Sequence, residues 1–204
     1  MSLRSVLIVA AAMMIAGAAV AQADPYELAL NGGFEEGTLA GWTVYGTASI
    51  VSPGYTGNAM AYLENTVAPS AVVIKNANMG VGTVVGGETI TIEFDAMAAD
   101  LSNGGVAFAE FFSEGASGVT KSEILGGSPL IALISTPNTW CHFSFTTTAA
   151  SDVANGVTLQ LTATTGAATG SVAKVYYDNV SVTVDRVTVP ARSTSWGKIK
   201  DLYR

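Results

Sequence analysis

From Trp42 onward the chain is a succession of short apolar runs broken by Gly, Pro, Asn and Ser. The runs 42–51, 59–64, 71–78, 88–98, 105–113, 130–134, 139–148, 157–164 and 172–184 are predicted strands. In 88–98, Ile90, Ile92, Phe94 and Ala96 alternate with Thr89, Thr91, Glu93 and Asp95. A two-residue period puts one side of a strand on a core and the other in water. Val157, Leu159, Leu161 and Ala163 repeat the pattern, as do Cys141, Phe143 and Phe145. No stretch of the body sustains a helical period. Many short alternating strands with turn residues between them predict an all-β sandwich or barrel. Residues 114–129 are the longest weakly patterned stretch and read as a loop.

The alternation slips once. Val175 and Tyr177 are odd-numbered, whereas Val180, Val182 and Val184 are even. A one-residue slip inside a strand is what a β-bulge produces, and bulges re-aim side chains. The residues at the slip are Asp178 and Asn179. At the other end of the body lies Asn31-Gly32-Gly33-Phe34-Glu35-Glu36-Gly37, followed by Gly41-Trp42. Its glycines permit positive φ, so backbone carbonyls of the 31–36 turn can be aimed inward. Those carbonyls with Glu35 or Glu36 form an oxygen-rich site of the kind a hard cation prefers. The plainer reading is a polar turn before a first core strand.

The N-G-x-F-E turn leading to G-W, with a terminal Y-x-D-N-V-S-V strand, resembles the carbohydrate-binding modules of families four, nine and twenty-two. The likeness runs from about residue 26 to residue 185 and implies a galactose-binding-domain-like jelly roll of two antiparallel sheets. It implies that the first and last strands lie side by side. It also implies a structural calcium there, held by Glu35 and Asp178; Glu35 or its neighbour Glu36 is the ligand from the turn, and turn carbonyls from Asn31 onward are expected to complete the shell.

Composition adds an address and a charge. Arg4, then an apolar stretch from Ser5 to Val20 and Ala21-Gln22-Ala23, read as a secretory signal peptide over residues 1–23. The jelly-roll domain is then expected over 24–187. Residues 24–185 carry fifteen acids against Lys75, Lys121 and Lys174, a net of −12. Such a body repels nucleic acid and anionic glycans and suits a neutral ligand or a cation. The lone Cys141 excludes an internal disulfide and reads as a buried, inert thiol.

Residues 188–204 read as a linker and a basic amphipathic tail, with Trp196, Ile199, Leu202 and Tyr203 on one face. The tail resembles the short W-G-x-[IV]-K-x-L-Y-R endings of exported proteins in some bacterial groups. Its expected partner is the cell surface or the export machinery.

The catalytic inventory is thin. His142 is the sole histidine, and no phosphate loop, zinc spacing or EF-hand loop is present. Sugar binding needs aromatic platforms beside a few polar groups. Tyr55, in a turn, and Trp140, out of phase with the core residues of its strand, are the leading candidates, with Tyr45 third. Tyr62, Phe111, Phe112 and Tyr176 are further ones, while Trp42 is assigned to the core. The signal peptide, the acidic body and the resemblance together predict an exported, non-catalytic module that binds a neutral glycan at or outside the cell surface, or in the periplasm. The alternatives are a structural or adhesive surface protein without a glycan site, and a small glycoside hydrolase.

Overall fold

The computed structural model describes residues 25–185. The expected signal peptide and the tail with Trp196, Ile199, Leu202 and Tyr203 lie outside the described residues. The alternating runs form strands. These are β1 (Pro25–Glu27), β2 (Thr43–Tyr45), β3 (Ala48–Val51), β4 (Met60–Asn65), β5 (Ser70–Met79), β6 (Thr89–Ser102), β7 (Val106–Gly115), β8 (Gly118–Ile124), β9 (Cys141–Thr148), β10 (Val157–Thr165) and β11 (Val172–Asp185).

They make a jelly-roll sandwich of two antiparallel sheets. The first sheet has the order β3-β4-β11-β6-β9, with β1 also paired to β11. The second has the order β2-β5-β10-β7-β8. The first and last strands are neighbours, with Pro25 opposite Asp185 and Glu27 opposite Thr183.

The core lies between the sheets. Ile90, Ile92 and Phe94 of β6 are fully buried, as are Leu159 and Leu161 of β10, Phe111 of β7 and Tyr177 of β11. Each such side chain contributes about 1.5–3 kcal/mol on burial. The Tyr177 hydroxyl, buried among them, donates to the Thr162 carbonyl of the facing sheet at 2.9 Å. A core of this size explains how the domain holds together without a disulfide.

Four expectations change. Residues 131–135 form a short helix, α1 (Ile131–Ser135), not a strand. An apolar run of five residues fits either element, and here Leu130 and Leu133 are buried at helical spacing. The stretch 114–129 is not one loop, because it contains β8. The run 42–51 is split into β2 and β3 at Gly46, whose φ of 88° is left-handed. Cys141 is half-buried rather than buried, with Sγ 3.3 Å from the Thr136 hydroxyl.

Candidate functional site

The parity slip is a bulge. The register of β11 on β6 shifts between Asp178 and Ser181, and Asn179 has a φ of 52°. At the bulge Asp178 is fully buried, against the 52–59 loop. Its Oδ2 accepts the backbone N–H groups of Tyr55 (2.9 Å) and Thr56 (3.1 Å), and its Oδ1 accepts that of Asn179 (2.7 Å).

Glu35 grips the same loop two residues further on. Its carboxylate accepts the N–H of Asn58 at 2.9 Å and that of Ala59 at 3.1 Å. Gly57 leaves the room for this, since a Cβ there would stand 2.4 Å from Glu35 Oε1. The 52–59 loop is thus clamped by the two acids that the motifs singled out.

The turn that carries Glu35 is built differently from the sequence expectation. Of Gly32, Gly33 and Gly37 only Gly37 is left-handed, and Asn31 and Phe34 take up the other positive φ angles, 49° and 56°. Phe34 is fully buried against Trp42, with ring centres 5.4 Å apart. The Asn31 side-chain amide donates to the carbonyls of Thr38 (2.9 Å) and Ala40 (3.2 Å), so this residue braces the turn. The carbonyls of Asn31 and Gly32 accept from the Trp42 indole (3.3 Å) and from Val180 N–H (2.9 Å). Glu36 is exposed.

Burial foremost holds the Asp178 carboxyl above the usual carboxylate range, the three N–H bonds oppose this, and the Glu35 charge adds to the rise. Glu35 is lowered by the N–H groups of Asn58 and Ala59. Among the described residues the ion pairs are Lys121–Glu123, Lys174–Glu64 and the His142 pairs, and none includes Glu35 or Asp178. Glu35 and Asp178 offer the charge and donor type that a hard cation prefers, but every oxygen of the two carboxylates already accepts an N–H. Among the described residues no group of three or more His, Cys, Asp or Glu side chains is placed to hold a metal. The remaining ligands would be backbone, amide or water oxygens.

The clamped loop presents Tyr55. Its ring stacks on Trp140, with centres 4.4 Å apart and planes at 23°. Tyr55 remains 48% exposed and Trp140 is half-buried, so the pair offers the free face of Tyr55 to solvent. Beside them runs a polar row that the sequence did not disclose. The Thr56 hydroxyl donates to Asn179 Oδ1 (2.5 Å), Asn179 Nδ2 donates to Asp95 Oδ2 (2.8 Å), and Asp95 Oδ1 meets His142 Nδ1 (3.0 Å). Asp95 and His142 were legible as outward positions of β6 and β9, but their pairing needed the register. The Ser144 hydroxyl donates to Glu93 (3.1 Å).

Tyr45 lies on the other sheet. It stands at the β2 edge, 55% exposed. Lys75 Nζ of β5 sits 5.9 Å from the Tyr45 ring centre and 5.4 Å from that of Phe112 on β7. In a flat sheet three strand spacings, about 14 Å, would separate β2 from β7. The rings are at most about 11 Å apart, so they converge over the outer face. Between them the Gln160 amide of β10 donates to the Glu110 carboxylate of β7. Phe111, the neighbour of Phe112, belongs to the core and is withdrawn as a ligand candidate.

No family model matches the sequence, and no curated protein matches it. Solved structures do. The CBM22-1 xylan-binding domain of Paenibacillus barcinonensis Xyn10C is similar at 14% identity and a TM-score of 0.56, over 81% of this chain and 97% of that one. A family 16 carbohydrate-binding module is similar at 16% identity and a TM-score of 0.54, over 76% and 98%. The enzymatically active domain of tailspike protein 4 of bacteriophage CBA120 matches at 11% identity and a TM-score of 0.55, over 78% of this chain but 21% of that one. The fold is that of the β-sandwich carbohydrate-binding modules, as the end motifs implied.

Proposed function

We propose that this is a non-catalytic module that binds a neutral glycan on the outer face of its second sheet. The observation that carries the reading is the convergence of Tyr45 and Phe112 on Lys75, over the Gln160–Glu110 pair. Rings supply flat apolar area for sugar faces, and alternating donors and acceptors serve hydroxyl groups. The acidic body opposes anionic glycans. The xylan-binding module of the same fold lends support. The signal peptide expected at 1–23 would bring such a module to the cell surface, the periplasm or the medium.

Tyr45→Ala is expected to weaken retention on a neutral polysaccharide roughly five- to ten-fold, as the loss of one stacking ring does. Affinity electrophoresis in arabinoxylan, mixed-linkage β-glucan and galactomannan gels checks this, with melting unchanged as the control. Equal retention of Tyr45→Ala and the parent would remove this face from the reading. No retention of the parent on any neutral glycan would leave a structural or adhesive role.

Calcium belongs to the same proposal. Glu35 and Asp178 would hold it and so fix the loop that carries Tyr55. Added calcium should then raise the melting temperature and a chelator should lower it, because the ion binds the native state alone. Melting indifferent to both would count against the ion.

A further inference from the structure

The outer face of the first sheet carries a row of rings that the proposed glycan face does not use. Tyr62 of β4 stands opposite Tyr176 of β11, and Tyr176 opposite Met97 of β6. Ala96 is opposite Cys141, so the row continues past Met97 to Trp140. Tyr62 and Tyr176 stack with centres 4.8 Å apart, and Trp140 stacks with Tyr55 at 4.4 Å. Three strand steps separate Tyr62 from Trp140, about 14 Å. The row is therefore an apolar strip that crosses four strands, with a ring pair at each end and Met97 between them.

Polar residues border the strip on both sides. On one side Lys174 pairs with Glu64 at 2.8 Å. On the other runs the Thr56–Asn179–Asp95–His142 row. A protein partner with an apolar core would have to dehydrate both borders, and charged residues are scarce at the centres of such interfaces. A sugar chain lays its apolar faces on rings and its hydroxyls on donors and acceptors at the sides. The lysine is already neutralised by Glu64, and the opposite border is acidic, so an anionic chain is disfavoured.

We infer that this strip is a second glycan-binding surface, which takes a neutral, extended chain lying across β4, β11, β6 and β9. With the face around Tyr45 on the opposite sheet, the domain would hold two chains back to back and bridge them. The glycan class rests on the proposed function, but the strip is a separate surface with its own residues.

The test uses the intact protein with soluble arabinoxylan, mixed-linkage β-glucan and galactomannan, and polygalacturonate as the anionic control. Tyr62→Thr and Tyr176→Thr remove the rings while keeping strand propensity. Tyr55→Ala, on an exposed loop, is the variant that spares the sheet. The parent should cross-link a neutral polysaccharide, read as turbidity. Each strip variant should abolish the turbidity, and its affinity should settle at that of the face around Tyr45. The combination of Tyr45→Ala with Tyr55→Ala should lose at least ten-fold more than either alone. Parent-like cross-linking by all three strip variants would overturn the inference and leave the Tyr45 face standing. So would a single chain bound per domain whose retention Tyr45→Ala abolishes. A parent that binds no neutral glycan would overturn this inference and the proposed function together.

Discussion

Asp178→Ala is expected to destabilise the domain by about 4 kcal/mol, a loss of roughly 10–15 °C in melting temperature for a body of this size. The substitution removes the acceptor of three backbone N–H groups, those of Tyr55, Thr56 and Asn179. A donor left unpaired in a dry site costs about 1–3 kcal/mol. The Tyr55 and Thr56 amides can recover water if the loop lifts, and the part-buried Asn179 amide loses its acceptor. Relief of a buried charge offsets part of the loss. Lifting the loop also separates Tyr55 from Trp140, so amide exchange at Tyr55 and Thr56 should quicken. Asp178→Asn keeps the shape and one acceptor and should cost about half as much. Glu36→Gln, at an exposed site, should stay within about 0.5 kcal/mol of the parent. Asp178→Ala melting with Glu36→Gln would mean that the carboxylate does not hold the loop.

Much of this site was legible before the fold was. The parity of five valines and tyrosines along β11 located the bulge, because a two-residue period cannot change phase without an extra residue. The phase of β9 placed Trp140 outward, and the turn residues around Tyr55 exposed it. What the sequence could not supply was the contact between Tyr55 and Trp140. These residues are 85 positions apart in the chain, and they meet because Glu35 and Asp178 pull the loop over the sheet. The ring rows were equally hidden. They depend on which strands are neighbours, and alternation gives the side a residue faces without its lateral partner. The strand β8 is hidden in the sequence for another reason. As an edge strand its residues are mostly exposed on both sides, which erases the alternation that would reveal it.

Glycines are the hardest residues to rank from sequence, and Gly32 provides the sharpest case. Gly32→Ala is expected to cost about 3 kcal/mol, the upper end for overpacking, because the obstacle is backbone. A Cβ at this position would lie 1.8 Å from the Val180 carbonyl oxygen and 2.9 Å from its carbon. Neither atom can turn away as a side chain could. The 31–34 segment must retreat from β11, which breaks the Val180 N–H bond to the Gly32 carbonyl. Retreat also unseats the buried Phe34 from Trp42 and swings Glu35 off Asn58 and Ala59. The adjacent glycines make the controls. A Cβ at Gly33 would meet nothing closer than 3.9 Å, so Gly33→Ala should be nearly neutral. A Cβ at Gly37 has open space, but φ there is 66°, so Gly37→Ala should cost about 1 kcal/mol from left-handed strain alone. Thermal melting of the three variants should rank Gly32→Ala far below Gly37→Ala, and Gly37→Ala slightly below Gly33→Ala. If Gly32→Ala melts within the error of Gly33→Ala, the turn is not pressed against β11 as described, and the clamp on the Tyr55 loop loses one of its two sides.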